Sequence, residues 1–135
     1  MDAAAARTIV ARVEPTDRPL IAIVDDDELF RRSIERLVRS AGFSVRTFGS
    51  AEDFLDSADL DRATCAILDM RLPGMNGLDL QQRLIARRTP MPIVFVSAHE
   101  EATMRAMALR AGAIAFLKKP FDNSTLLDAL NRSIR

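Results

Sequence analysis

Charged side chains close three apolar runs of this chain. Ile21-Ala22-Ile23-Val24 leads into Asp25, Asp26 and Asp27. Cys65-Ala66-Ile67-Leu68 leads into Asp69, and Phe116-Leu117 leads into Lys118, Lys119 and Pro120. Short apolar runs of this kind read as buried strands. In an open parallel sheet their carboxyl ends share one edge, where ligands bind. Acids gathered there repel and raise one another's pKa. A hard divalent cation relieves that conflict: Mg²⁺ takes one or two carboxylates, keeps several waters and completes its shell with phosphate oxygens. The spacing therefore points to a cation and a phosphoryl group sharing one cavity.

Each candidate has its own logic. Asp69 stands just ahead of Met70-Arg71-Leu72-Pro73-Gly74-Met75-Asn76-Gly77, a loop by its Pro and Gly content. That places its carboxylate at the sheet edge, and a carboxylate is a competent nucleophile toward an activated phosphoryl group. Lys119 precedes Pro120, and its long stem can carry a point charge to a phosphate oxygen. Lys118 reads as a solvated neighbour. Ser97 closes Val94-Phe95-Val96, and its hydroxyl suits either a phosphate oxygen or the cap of the following helix; the residues leave both open. Asp27 reads as a helix cap, and His99, the single histidine, as an exposed loop residue.

The elements that must position these groups are legible as period and punctuation. Strands are expected over Leu20–Val24, Phe43–Phe48, Ala63–Leu68, Pro92–Val96 and Ala113–Leu117. A helix from about Asp27 to Ala41 places Phe30, Ile34, Leu37, Val38 and Ala41 at helical spacing, and Gly42 stops it. Ser50 and Asp53 resemble a capping box for a short helix ending near Ser57. A third helix, Gly77–Arg88, turns Leu80, Leu84 and Ile85 inward. A fourth, Glu100–Ala111, carries a stripe of Met104, Met107, Ala108 and Ala111. Asp122 caps the last, with Leu126, Leu127, Leu130 and Ile134 on its apolar face. Strands alternating with helices argue an α/β sheet covered on both faces. Residues 1–18 read as an N-terminal tail, with an undecided strand or turn at Thr8–Val13, and 19–135 as one domain.

Composition narrows the classes. The chain has 135 residues, with 19 basic and 19 acidic side chains in balance. Neutrality gives no global attraction to nucleic acid or anionic lipid. Arg31, Arg32, Arg36 and Arg39 follow helical spacing and read as a solvated or docking face, not a nucleic-acid surface. One cysteine, Cys65, excludes an internal disulfide, fits a reducing compartment and reads as a buried inert thiol. No stretch approaches the ~18 apolar residues of a membrane span, and Arg7 and Arg12 break any signal-peptide core. A cytoplasmic protein without membrane contact is expected.

Four blocks together resemble the receiver domain of two-component response regulators: Val24-Asp25-Asp26-Asp27, Leu68 to Gly77, Val96-Ser97-Ala98 and Lys118-Lys119-Pro120-Phe121. The resemblance covers residues 19–135. It implies a flavodoxin-like doubly wound parallel sheet in strand order 2-1-3-4-5. It implies that Asp69 is the phosphoacceptor, served by a sensor histidine kinase or phosphotransfer protein. Mg²⁺ would be held by Asp26, Asp69 and the backbone carbonyl of Arg71, with Asp25 acting largely through water. Ser97 would be the switch hydroxyl, Phe116 the switch aromatic and Lys119 the phosphate-binding lysine, joined to Pro120 by a cis peptide. Arg71 and His99 stand where such domains tune phosphate lifetime. Phosphorylation would shift the fourth helix and fifth strand, altering a face, completed by the fifth helix, that binds a partner or a second copy. Met104, Met107 and Leu109 near that face can adapt to either packing. Many similar receivers carry a C-terminal helix-turn-helix, so Arg135 reads as the end of a stand-alone receiver or the edge of an output domain.

Two other functions fit parts of this pattern. An aspartyl-phosphate hydrolase would share Mg²⁺ and the nucleophile, but commonly needs a second acid two residues on, where Arg71 stands. A constitutive interaction module would keep the shape without phosphorylation, and the complete acid pocket argues against it.

Overall fold

Val, Ile, Leu and Phe dominate the central strands because both of their faces are covered, which removes the usual polar alternation. In a computed structural model, which describes residues 18–89, 91–99 and 101–134, β1 (Leu20–Val24) and β4 (Ile93–Ser97) are buried along their whole length. β3 (Ala63–Asp69) is buried from Cys65 onward. β2 (Ser44–Phe48) and β5 (Ala115–Lys118) form the edges and are only partly covered. All neighbours are parallel, and the order is β2-β1-β3-β4-β5, as the resemblance implied. The expected tail over 1–18 lies, except for Arg18, outside the described residues, and so does the choice at Thr8–Val13.

The pleat sends alternate residues into two separate cores. Ala22, Val24, Ala66, Leu68 and Phe95 face one, beneath α2 (Ala51–Leu55), α3 (Gly77–Ala86) and α4 (Ala102–Arg110). Ile21, Ile23, Cys65, Ile67, Val94 and Val96 face the other, beneath α1 (Glu28–Ser40) and α5 (Asn123–Ile134). Cys65 is fully buried there, and burial pushes its thiol up to about 11. It is an unreactive core residue, as expected.

Several expected boundaries move, each for a local reason. β4 begins at Ile93 because Pro92 has no N–H to give a ladder; Pro92 contributes only its carbonyl, to Ala66 N–H. β3 extends to Asp69, β5 is Ala115–Lys118, and a 3₁₀ turn at Leu60–Arg62 was not expected. α3 stops at Ala86, two residues early, as Arg88 adopts a left-handed φ of 58°. α4 starts at Ala102, with Glu101 at its N-cap. Ile85 is 51% exposed and Met107 46%, so neither is the core residue that spacing suggested. Asn76, which read only as a loop residue, forms a reciprocal capping box with Asp79 at the start of α3.

Candidate functional site

Register creates the site. Val24 lies beside Leu68 in the β1–β3 pair, so the next residues, Asp25 and Asp69, leave the sheet side by side. This is the switch point, where the chain has gone from β1 to β2 on one side and then to β3 on the other, and a crevice opens there. Ser97 is paired with Lys118 at the next two strand ends. Gly77 fits tightly behind: a Cβ there would stand 2.5 Å from the Asp69 carbonyl oxygen and 3.1 Å from Met70 Cα. Only glycine lets the start of α3 approach β3 this closely.

Asp25, Asp26 and Asp69 each offer a carboxylate oxygen, all within 4.8 Å of one another. Asp25 is 1% exposed. Its Oδ1 accepts from Asp27 N–H at 2.9 Å, and its Oδ2 from Lys119 Nζ at 2.9 Å. Its carbonyl oxygen accepts from Arg31 Nη1 at 2.7 Å, so this arginine is tied to the pocket and not merely solvated. Asp26 is exposed. Asp27 caps α1, accepting from Leu29 and Phe30 N–H. Asp69 is buried; its Oδ1 accepts from Arg71 N–H at 3.0 Å, and its Oδ2 lies 3.5 Å from Lys119 Nζ. Burial raises the Asp69 pKa above the usual carboxylate value, and the Asp25 charge pushes the same way. The Arg71 N–H and the Lys119 ammonium act against both. Three hard oxygen donors at this spacing could hold a divalent cation.

Lys119 lies across the acids, mostly buried, with Nζ 3.9 Å from the centre of the Phe30 ring. That ring meets Phe121 edge-on at 6.2 Å. The aromatic face fixes the ammonium by cation–π attraction without consuming a carboxylate. Its backbone N–H donates to the Ser97 carbonyl at 2.7 Å, and the Lys119–Pro120 peptide is cis. Nothing in the sequence marked Phe30 as more than a core residue.

Ser97 and Phe116 stand apart from this group. The Ser97 hydroxyl is fully buried, donates to Glu101 Oε2 at 3.1 Å and accepts from His99 N–H at 3.1 Å. Phe116 is half-buried, its ring 6.3 Å from that of Phe95. Glu101 also accepts from Arg71 Nε at 2.6 Å. Sequence reasoning missed Glu101 altogether, because an acid in the first turn of the expected Glu100–Ala111 helix looks like surface. His99 is exposed, as expected.

A flavodoxin-like α/β domain with a lysine lying across a buried acid pair at its switch point is the class that fold and pocket define. The model of the response regulator receiver domain matches residues 21–131, and the chain belongs to that family of signalling domains. It is 41% identical over 117 residues to Nodulation protein W of Bradyrhizobium diazoefficiens, covering 87% of this chain and 52% of that protein. It is 43% identical over 114 residues to Transcriptional regulatory protein TdiR of Thauera aromatica, covering 84% of this chain and 50% of that one. The chain thus spans about half the length of these curated relatives. Among solved structures, the response regulator StyR superposes with a TM-score of 0.80 at 45% identity, over 86% of this chain and 59% of that one. FixJ-N superposes with a TM-score of 0.78 at 32% identity, over 85% and 92%. Among the described residues, no helix is long and apolar enough to cross a membrane.

Proposed function

We propose that this chain is the phosphoryl-accepting module of a two-component response regulator, working in the cytoplasm. The observation that carries this reading is the side-by-side exit of Asp25 and Asp69 from β1 and β3 with Lys119 lying across both. A histidine kinase or phosphotransfer protein supplies a phosphohistidine. Asp69 attacks its phosphorus; a P–O bond to the carboxylate forms as the P–N bond breaks, and the freed imidazole takes a proton from solvent.

The donor set fits Mg²⁺. Asp25, Asp26 and Asp69, with the backbone carbonyl of Arg71, would hold it. When bound, the ion neutralises the crowded carboxylates and the charge on the phosphoryl oxygens. The remaining work belongs to side chains. Lys119, restrained over Phe30, has only to turn from Asp25 toward the new oxygens. Phosphorylation adds charge and strong acceptors at Asp69. Ser97 then donates toward them, and Phe116 turns inward in its wake. α4 and β5 shift, and the α4-β5-α5 face changes its affinity for a second copy, a partner or an output module. This module itself has no direct role in nucleic-acid binding.

An aspartyl-phosphate hydrolase is disfavoured by Arg71, whose side chain pairs with Glu101 at the place where a second acid would be needed. The test is acetyl phosphate with Mg²⁺, followed by intact-protein mass spectrometry. One phosphoryl group is expected on the wild type, and none after Asp69→Asn or with a chelator. Labelling of Asp69→Asn would refute the assignment. A beryllofluoride-induced change in hydrodynamic size tests the dimer; an unchanged size counts against it.

A further inference from the structure

Glu101 is a buried acid with no part in the carboxylate pocket. It occupies the N-cap of α4 yet makes no side-chain cap bond there. Its side chain is only 4% exposed. Burying a carboxylate is costly unless it is paired and hydrogen-bonded. Both of its oxygens are used: Oε1 by Arg71 Nε at 2.6 Å and Oε2 by Ser97 Oγ at 3.1 Å. The two donors come from just past the end of β3 and from the end of β4, strands that pair directly in the sheet.

Ser97 has one hydroxyl proton to give. Its oxygen already accepts from His99 N–H, and its proton goes to Glu101. Arg71 is held at both ends, its backbone N–H on Asp69 and its guanidinium on Glu101. Resting on the phosphoacceptor reading, we propose that Glu101 is a positioning residue that restrains the unphosphorylated state by withholding the Ser97 hydroxyl and tethering Arg71. A phosphoryl group at Asp69 competes with Glu101 for the same proton. Capturing it leaves Glu101 with Arg71 alone and releases the first turn of α4, a helix whose one fully buried residue is Ala108. Glu101 therefore sets how far the resting equilibrium lies from the active arrangement, through differential bonding in the two states.

Beryllofluoride with saturating magnesium is the probe, and amide NMR of the whole chain the readout. Glu101→Gln keeps the shape and removes the charge. It should bind beryllofluoride about tenfold more tightly, the scale of one hydrogen bond to a charged acceptor. Without magnesium or beryllofluoride, its Ser97 and α4 amides should already lie on the line joining the free and bound wild-type shifts, which mere loosening would not produce. Glu101→Asp should return the affinity toward wild type. The gain should vanish in a Ser97→Ala background, since coupled residues are not additive. Wild-type uptake with no gain in Glu101→Gln overturns the restraint alone, as does a gain that survives Ser97→Ala. No uptake by the wild type overturns the phosphoacceptor reading, and the restraint falls with it.

Discussion

α4 and α5 cover opposite faces of the sheet and are anchored very differently. α5 sinks Leu126, Ala129 and Leu130 completely, against Cys65, Ile67 and Val94 of the central strands. α4 sinks only Ala108, leaves Met104 half-covered and exposes Met107 and Leu109. Its N-terminus lacks the side-chain cap that Asp27 gives α1 and Asn76 gives α3. The same contrast divides the site. Asp25 and Asp69 stand at the ends of β1 and β3, paired in the middle of the sheet, whereas Ser97 and Glu101 stand where the chain turns into α4. Few buried contacts make for low local stability. The proposed chemistry thus sits on the part that is packed firmly, and the proposed response on the part that is held lightly.

The sharpest way to break this contrast is Leu130→Ala. It should cost about 2–5 kcal/mol of unfolding free energy in a denaturant titration, as deletions at fully buried sites do. A cost near zero would mean α5 is no anchor. Asn76→Ala, which removes the capping box of α3, should cost about 1 kcal/mol in the same titration. Phosphate uptake from acetyl phosphate by that variant reports whether α3 also holds the Asp69 end of β3 in place.

Charge in the fixed half has a pH signature. Asp69 ionises less readily folded than unfolded, because burial and Asp25 oppose its charge. Its ionisation therefore opposes folding above the raised pKa, and that penalty disappears below the ordinary carboxylate value. Without magnesium, Asp69→Asn should raise Tm at neutral pH, with the gap to wild type closing as pH falls through this range. A gap that widens on acidification would reverse the sign. Magnesium should raise the wild-type Tm by mass action and leave Asp69→Asn less affected. The smallest effect belongs to the lightly anchored half: Met107→Ala should change stability by less than about 0.5 kcal/mol, as exposed substitutions do. Amide exchange should nevertheless be faster in α4 than in α5, and equal protection would erase the distinction.

Much of this was legible in the chain. The unbroken apolar runs Leu20–Val24 of β1 and Ile93–Val96 of β4 announced strands covered on both sides, and Gly42 marked a helix end. What failed was the inward face of helices near the rim. Ile85 follows Leu84 by only 100° of helical turn, enough to carry it past the edge of the core into solvent. Met107 belonged to a plausible stripe, but α4 runs only from Ala102 to Arg110 and presses one residue fully into the core. The capping box at Asn76 was hidden because Pro73 and Gly74 dominate its neighbourhood.

Local pattern alone determined the elements, their alternation and the acids and lysine at strand ends, since propensity and periodicity act within a few residues. Only the tertiary structure decided which ends meet. The parallel register sets Asp25 beside Asp69. Lys119, 94 residues from Asp25, is aimed by the ring of Phe30. Glu101 is buried because Arg71, 30 residues earlier, and Ser97 converge on it. Burial and pairing are summed over segments far apart in the chain, so no short window of residues contains them.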